Sequence, residues 1–367
     1  GAALGKCSGN TTTKHHRGRR LIETLWFWLV GFMLATYVVL DGFDLGAGVL
    51  HLFVARTEEE RGQVLQTIGP VWDGNEVWLL ASGGAIVLAF PTLYATSFSG
   101  FYLPLMMVLW LLMGRALGIE MRHYITDRLW NQFWDVIFAV SSFLLALFLG
   151  VALGNVVRGV SLSAEGKFFA PLWTDFQTGE LTGILDWYTI LVGLAAVAAL
   201  TYHAALWLQW RTGSRMQQRI SKAIPPLFVL LLVVWIGTIA ASISVQPLLT
   251  ENFNARPWGA GFPIASFLAI LASFSLHRRQ MAGAAFLASA LSLYAMICSA
   301  AAGLYPYVLP ARNPQWSLTI SRVASSPESM TLALFWWIPG MMLVGIYTYF
   351  VYSKILPTRL SLPQEEH

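Results

Sequence analysis

Nine apolar stretches recur along the chain, and they constrain the fold more than any other feature of the sequence. They cover residues 25–45, 77–94, 98–113, 136–156, 187–208, 224–245, 262–276, 283–304 and 332–351. A helix needs about 20 mostly apolar residues to cross a hydrocarbon layer of about 30 Å. Inside that layer a helix satisfies its backbone hydrogen bonds within its own segment. The sequence therefore predicts an all-α integral membrane protein with about nine transmembrane helices.

The composition favours the same class. Hydrophobic residues make up 56% of the chain and charged residues only 11%, whereas a soluble domain carries about 25% charged residues. No basic patch on a soluble face points to nucleic acid. Cys7 lies in a polar tail and Cys298 in an apolar stretch. We therefore expect neither a structural disulfide nor a metal site built from cysteine.

The loops between the stretches predict the orientation in the membrane. An odd number of crossings places the two termini on opposite sides. The loops on the side of the C-terminus hold thirteen Lys and Arg residues, against five on the other side. Because cytoplasmic loops carry the excess of positive charge, we predict a cytoplasmic C-terminus and an N-terminus on the outer side of the membrane.

Residues 1–20 disagree with this orientation. They add five positive charges to the outer side. If these charges determine the orientation, the topology is inverted. Their content of Gly, Ser and Thr predicts a disordered basic extension outside the fold. We give the internal loops more weight than this segment.

Two short acidic runs stand beside the apolar stretches. Asp41 and Asp44 lie near the end of the first stretch, and Asp73 and Glu76 precede the second. A charged side chain at membrane depth is costly unless it is hydrated, paired or protonated, so such residues are functional candidates by default. The i, i+3 spacing of Asp41 and Asp44 places both on one helix face. With the predicted orientation, four acids converge at the cytoplasmic side, where protons can enter.

The neighbours of these acids have both functional and structural interpretations. Arg115 closes the third stretch on the same side, either as a counter-charge for the acids or as an ordinary positive-inside anchor. Asp73 is also a candidate helix N-cap. Gly42 and Gly46 form a small-xxx-small pair, which lets another helix approach closely.

Histidine bears on whether this chain itself holds a haem. His203 is the only histidine well inside an apolar stretch, and a six-coordinate haem needs two axial ligands. One of the eleven methionines is a formal candidate for the second, but methionine in an apolar stretch is usually a packing residue. We therefore expect no directly held haem and no metal site in this chain.

Several motifs follow one another in a fixed order. The most specific are GFDLG around Asp44 and WDGN around Asp73. The full series is 40–50 (LDGFDLGAGVL), 69–85 (GPVWDGNEVWLLASGGA), 90–91 (FP), 99–102 (SGFY), 150–160 (GVALGNVVRGV), 304–310 (LYPYVLP), 317–319 (SLT) and 324–326 (ASS). Over about residues 21–351, the chain resembles subunit II of the cytochrome bd type quinol oxidases.

The resemblance implies a partner and a reaction. Members of this family pair with a subunit I that holds haem b and haem d and oxidises quinol. The complex reduces dioxygen to water and takes the protons from the cytoplasm. No motif in the sequence decides whether a structural quinone or a small accessory subunit also joins.

The resemblance also implies a domain organisation. A membrane domain of residues 21–351 contains a first four-helix bundle (21–156), a second four-helix bundle (187–304) and a last helix (332–351). A cytoplasmic tail of residues 352–367 follows. The outer loop of residues 158–186 either covers the partner or faces water.

Site residues are carried over from the family motifs. Asp73, the aspartate of WDGN, matches the position linked to a cytoplasmic proton path, and Asp44 in GFDLG is the next candidate. Trp78 matches a position associated with oxygen entry in some members, although a tryptophan there is otherwise an ordinary packing residue. Glu76 departs from the family, because some members carry an amide at this place.

Three functional interpretations remain. In the first, the chain is a non-haem oxidase subunit that supplies a proton path to the haems of its partner. The path residues are Asp73, Asp44, Asp41, Glu76 and Arg115. In the second, the chain is a scaffold that only stabilises subunit I. In the third, it is an autonomous proton-coupled transporter, which would use the same intramembrane acids.

Overall fold

The computed structural model describes residues 8–179 and 182–355, and most of these residues are helical. The long helices are α1 (Ser8–Val54), α2 (Glu58–Ile68), α3 (Trp72–Ala89), α4 (Pro91–Gly100), α5 (Tyr102–Glu120), α6 (Arg128–Arg158), α7 (Trp187–Arg211), α8 (Ser214–Val245), α9 (Pro247–Ala255), α10 (Gly261–Arg278) and α11 (Ala282–Leu304). A short hairpin of β1 (Tyr307–Leu309) and β2 (Leu318–Thr319) follows, and then come α12 (Ile320–Val323) and α13 (Pro327–Phe350).

Eight helices among the described residues are long and apolar enough to cross a membrane. They are α1, α5, α6, α7, α8, α10, α11 and α13. Helix α3 corresponds to the remaining predicted crossing, but its first turn carries Asp73, Asn75 and Glu76, which lower its mean hydropathy. The prediction of an all-α, multi-pass membrane protein is confirmed.

The second and third apolar stretches have different boundaries from those predicted. Helix α3 ends at Ala89, and α4 begins with Pro91 in its first turn. Proline has no backbone N–H and is best tolerated in the first turn of a helix, so a new helix begins here and α3 does not continue to residue 94. A second break at Phe101 delays α5, which then runs on to Glu120.

Helix α1 is longer at both ends than the first apolar stretch. It begins at Ser8, within the segment of residues 1–20 that was predicted to be disordered, and residues 1–7 lie outside the described part of the chain. Adding residues to an existing helix needs no new nucleus, which explains how a polar segment extends an apolar one. At its other end α1 reaches Val54. Asp41 and Asp44 therefore lie within the helix and not at its end.

Helices α1 and α7 form the centre of the fold. Helix α1 packs against α3, α6, α7 and α11, and α7 packs against α6, α8 and α11. In the two halves of the chain, α5 packs on α6 and α10 packs on α11. Helix α13 lies at the side of α1 and α3. The division into two four-helix bundles stays a prediction, and residues 356–367 of the predicted tail lie outside the description.

The close approach predicted for the small residues of α1 is present, and its partner is α7. A Cβ added at Gly46 would collide with the Leu200 carbonyl oxygen and lie 2.6 Å from the Ala204 Cβ. At Gly42 it would lie 2.8 Å from the Leu200 Cδ2. The backbones of α1 and α7 therefore touch at Gly46.

At the end of the helices where α6 finishes and α7 begins, the loop after α6 packs against the chain itself. Arg158 is buried and forms an ion pair with Asp186, the N-cap of α7. Arg312 donates hydrogen bonds to the backbone carbonyls of Thr178 (2.5 Å) and Gly179 (3.1 Å). These contacts fasten the described part of this loop to α6, α7 and the β-hairpin.

We predict that Gly46→Ala destabilises the protein by about 1–3 kcal/mol, because the added methyl group overpacks the contact with α7. Gly31→Ala is the matched control on the same helix, since nothing lies within 4 Å of a Cβ at that position. Alanine is the better helix former, so the control is expected to be neutral or stabilising. Thermal unfolding of both purified variants measures the difference, and equal melting temperatures would contradict the contact.

Candidate functional site

Arg115 is the centre of a buried group of charged side chains that joins α1, α3 and α5. Its guanidinium donates from Nη1 to Asp41 Oδ1 at 2.5 Å and from Nη2 to Glu76 Oε2 at 2.7 Å. Arg115 and Asp41 are fully buried, while the Glu76 side chain is 23% exposed. The ring of Trp72 lies 5.9 Å from the guanidinium carbon. One cation therefore holds two carboxylates at different depths.

The chemistry of arginine explains why this residue stands here. The planar guanidinium presents several N–H donors in a rigid fork and stays charged in proteins. A charge is tolerated in a low-dielectric interior only when it is paired and hydrogen-bonded. Arg115 therefore has the contacts of a counter-charge for the acids, which is the functional alternative for this residue.

Asp44 is fully buried next to this pair and is reached through Asn75. The Asn75 Nδ2 donates to Asp44 Oδ2 at 2.8 Å and to the carbonyl of Leu40 at 3.1 Å. The Tyr352 hydroxyl donates to Asn75 Oδ1 at 2.9 Å. Neither Asn75 nor Tyr352 was among the predicted site residues, although Asn75 belongs to the WDGN motif.

We call Asp41, Asp44, Asn75, Glu76 and Arg115 the acid–arginine cluster. It combines three of the four predicted acids with the predicted counter-charge. The cluster lies where the second half of α1 meets the first turn of α3 and the last turns of α5. Its members come from three separate segments, which the fold brings together.

Asp73 lies apart from the buried members of the cluster. Its side chain is exposed, and the helix N-cap is Val71, so the prediction that Asp73 caps α3 is wrong. Trp72 is already helical and packs over Arg115, which starts the helix before Asp73. Asp73 is instead an acid in the first turn of α3, where the helix dipole favours negative charge.

Trp78 is buried in the core between α1 and α3. Its ring meets Phe32 edge to face, with the ring centroids 6.2 Å apart. These are the contacts of a packing residue. The role in oxygen entry that the resemblance implies for Trp78 stays a prediction.

A second buried ionic cluster lies at the same end of the helices, and the sequence analysis missed it. Asp135 accepts hydrogen bonds from His51 Nε2 (2.7 Å), Arg122 Nε (2.8 Å) and Arg61 Nη1 (3.1 Å). His51 lies outside the nine predicted apolar stretches, but it is fully buried within α1. The signal in the sequence was Asp135 itself, an acid at the edge of an apolar stretch.

Glu60 of α2 ties the two halves of the chain together close to this cluster. Arg219 of α8 pairs with Glu60 at 2.5 Å and donates to the Val54 carbonyl at 3.0 Å. Burial raises the pKa of Glu60, but hydrogen bonds from Arg219 and from the backbone N–H groups of Arg56 and Thr57 outweigh it and hold that pKa below its ordinary value. Glu60 therefore stays ionised as a structural anchor.

His203 does not present a free nitrogen for a haem iron. Its Nδ1 lies 2.6 Å from Ser289 Oγ, and its Nε2 lies 3.2 Å from the Val39 carbonyl oxygen. Its ring stacks on Phe286. Binding of an iron would break one of these hydrogen bonds. No group of three or more His, Cys, Asp or Glu residues suited to a metal ion occurs in the part of the chain described here.

Comparison with known proteins decides the family. The family model described as cytochrome bd terminal oxidase subunit II matches residues 22–355. The chain belongs to this family. The resemblance in the sequence motifs is thereby confirmed, and the chain is the second subunit of a bd-type oxidase, which implies a subunit I as partner.

Curated relatives agree with this assignment. The chain is 33% identical to a probable cytochrome oxidase subunit 2 of Haemophilus influenzae, and the match covers 91% of this chain and 94% of the relative. It is 30% identical to the cytochrome bd-I ubiquinol oxidase subunit 2 of Escherichia coli K12, with the same coverage. It is 28% identical to the cytochrome bd ubiquinol oxidase subunit 2 of Bacillus subtilis, over 91% of this chain and 96% of that one.

A solved structure shares the fold. The bd oxidase from Geobacillus thermodenitrificans contains a chain that superposes with a TM-score of 0.74 at 18% identity. The match covers 92% of this subunit and 99% of that chain. The two chains therefore share a helical architecture at low sequence identity.

We predict that Arg115→Met destabilises the subunit by about 3–5 kcal/mol, because it leaves Asp41 and Glu76 without their buried cation. Adding Asp41→Asn is expected to recover part of this loss. Arg279→Met, at an exposed arginine after α10, is the control. Thermal unfolding of the assembled complex measures all three, and an Arg115→Met complex as stable as the parent would refute the pairing.

Proposed function

We propose that this subunit II carries protons from the cytoplasm through the acid–arginine cluster toward the haems of subunit I. The observation that carries the proposal is a set of acids at graded depth: Asp73 is exposed, Glu76 is partly exposed, and Asp41 and Asp44 are fully buried. Carboxyl groups bind and release protons at little cost when they are suitably placed. A graded series of them is what a proton route needs.

The first step leads from Asp73 to Glu76. These residues are three apart on α3, so their side chains lie on one side of the helix. The Asp73 carboxylate interacts electrostatically with the Glu76 carboxylate. Asp73 collects protons at the surface, and Glu76 takes them below the surface.

In the second step the proton moves from Glu76 to Asp41, past Arg115. Glu76 and Asp41 both bind this guanidinium, at 2.7 and 2.5 Å. Arginine does not release its proton in proteins, so Arg115 holds the two carboxylates in place while the proton passes between them. The third step leads from Asp41 to Asp44, one turn further along α1.

The position of the basic residues supports entry from the cytoplasm. Arg61, Arg122 and Arg219 are held by ion pairs to α2 and α6. They lie at the end of the helices where α1 and α5 finish and α3 begins. Because basic residues accumulate on the cytoplasmic side, the C-terminus and the acid–arginine cluster face the cytoplasm, and the N-terminus is periplasmic.

The reaction of the complex follows from the family. Two of the relatives are named ubiquinol oxidase subunits, and we assign quinol as the electron donor and dioxygen as the acceptor. Subunit I holds haem b and haem d, and this subunit holds no haem of its own. The location is the bacterial inner membrane.

A structural quinone held by this subunit would lie in the cavity between α6, α7, α8, α9, α10 and α11. The cavity has a volume of about 340 Å³ and a mainly apolar wall that includes Leu153, Val192 and Phe253. Pockets for small lipophilic molecules have volumes of about 300–1,000 Å³. A hydrogen-bonded pair of hydroxyl groups, Tyr188 and Ser242 (2.8 Å), lies in the same wall.

The proton route and the scaffold interpretation predict different effects of a substitution at Asp73. We expect Asp73→Asn in the intact complex to lower quinol-driven oxygen uptake at least about tenfold, because an amide cannot exchange a proton as a general acid and base does. Asp175→Asn is the control, since it removes an exposed acid from the loop after α6.

The measurement is oxygen uptake per assembled complex, with assembly followed by the haem absorption spectrum. An Asp73→Asn complex that assembles normally and turns over at the parental rate would favour the scaffold. An autonomous transporter would instead transport a substrate as the purified single chain.

A further inference from the structure

The chain at the end of helix α13 contacts the acid–arginine cluster, although most of the helix lies at the surface. Phe335 and Leu343 on this helix are exposed, while Val351 is buried. Residues Val351–Ile355 form a π-helical turn, a conformation that often occurs at functional sites. Tyr352 lies in this turn and reaches Asn75.

The orientation of the Asn75 amide is set by its surroundings. The Leu40 carbonyl oxygen can only accept a hydrogen bond, and it lies 3.1 Å from one end of the amide, together with the Asp44 carboxylate. The NH₂ group therefore faces these two oxygens. The amide oxygen Oδ1 faces the other way and accepts from Tyr352, at 2.9 Å.

This arrangement makes the two oxygens of Asp44 different. Oδ2 is occupied by the N–H of Asn75. Oδ1 is buried and has no hydrogen-bond partner among the residues described. A proton on the Asp44 carboxyl group therefore resides on Oδ1.

We propose that Tyr352 is a positioning residue for proton transfer at Asp44. Its hydroxyl fixes the Asn75 amide, the amide reserves Oδ2, and Oδ1 is left as the atom that takes up and releases the proton. The last helix, outside both predicted bundles, thereby becomes part of the proton route. This inference rests on the proposed function and assigns roles to Tyr352 and Asn75 within it.

Tyr352 also connects the cluster to the second half of the chain. Arg211, at the end of α7, interacts electrostatically with Tyr352. Its guanidinium carbon lies 4.6 Å from the Trp207 ring and 4.2 Å from the Trp210 ring. Tyr352 therefore interacts electrostatically with a cation of the second half and with Asp44 of the first.

The test compares Tyr352→Phe, Asp44→Asn and the double variant in the assembled complex of both subunits. Tyr352→Phe keeps the ring and removes one hydroxyl. We expect it to lower oxygen uptake per complex about three- to tenfold, the size of one hydrogen bond, and to alter the pH profile of turnover. On the Asp44→Asn background it is expected to cause no further loss, because both changes act on one carboxyl group.

Tyr349→Phe is the matched control. It makes the same chemical change three residues earlier on the helix, where the side chain is 74% exposed, and it should leave turnover and the pH profile unchanged. If Tyr352→Phe prevents assembly, Asn75→Ser provides the second variant, since it also frees Asp44 Oδ2 and should alter the pH profile in the same way.

The outcomes separate the two proposals. Unchanged turnover and an unchanged pH profile in an assembled Tyr352→Phe complex overturn the role of Tyr352, as does a full additional loss on the Asp44→Asn background. If Asp44→Asn itself turns over at the parental rate, the proton route through Asp44 is wrong, whatever Tyr352 does.

Discussion

The buried guanidinium of Arg115 is the constraint on which the rest of this site depends. A cation in the interior of a membrane protein persists only with anions beside it, and removing one partner of such a pair costs about 3–5 kcal/mol. Arg115 therefore fixes Asp41 on α1 and Glu76 on α3, and in doing so it fixes how α1, α3 and α5 meet. The acids that we propose as proton carriers are the same acids that hold these helices together.

The close packing of α1 on α7 gives the site its second support. Because Gly46 lets the two backbones touch, α1 is held between the two halves of the chain. Asp44 then faces Asn75 of the first half, while Tyr352 brings the end of the last helix to the same place. The scaffold and the proposed proton route thus depend on one set of contacts, and only variants that keep the contacts while removing a titratable group can separate them.

Much of the fold and part of the site could be predicted from the sequence. Apolar length and charge placement predicted the membrane class, and the intramembrane acids Asp41 and Asp44 stood out because charge is rare in such stretches. The break at Pro91 was missed because length was weighed above the missing N–H. Asp73 was expected inside the site, but sequence spacing does not tell how deeply each residue in the first turn of α3 is buried. Asn75, Tyr352 and the pair of His51 with Asp135 depend on contacts between distant segments, which no local pattern encodes.

The central claim is that acids of this subunit take up protons during oxygen reduction, and the most direct measurement follows both events at once. A single turnover of the complex with oxygen, in a weakly buffered solution with a pH-sensitive dye, is recorded together with infrared bands of carboxyl groups. The account predicts carboxyl signals that disappear in Asp44→Asn and that change in step with proton uptake from the medium. Proton uptake at the parental rate in Asp44→Asn, with no carboxyl signal assignable to this subunit, would contradict it.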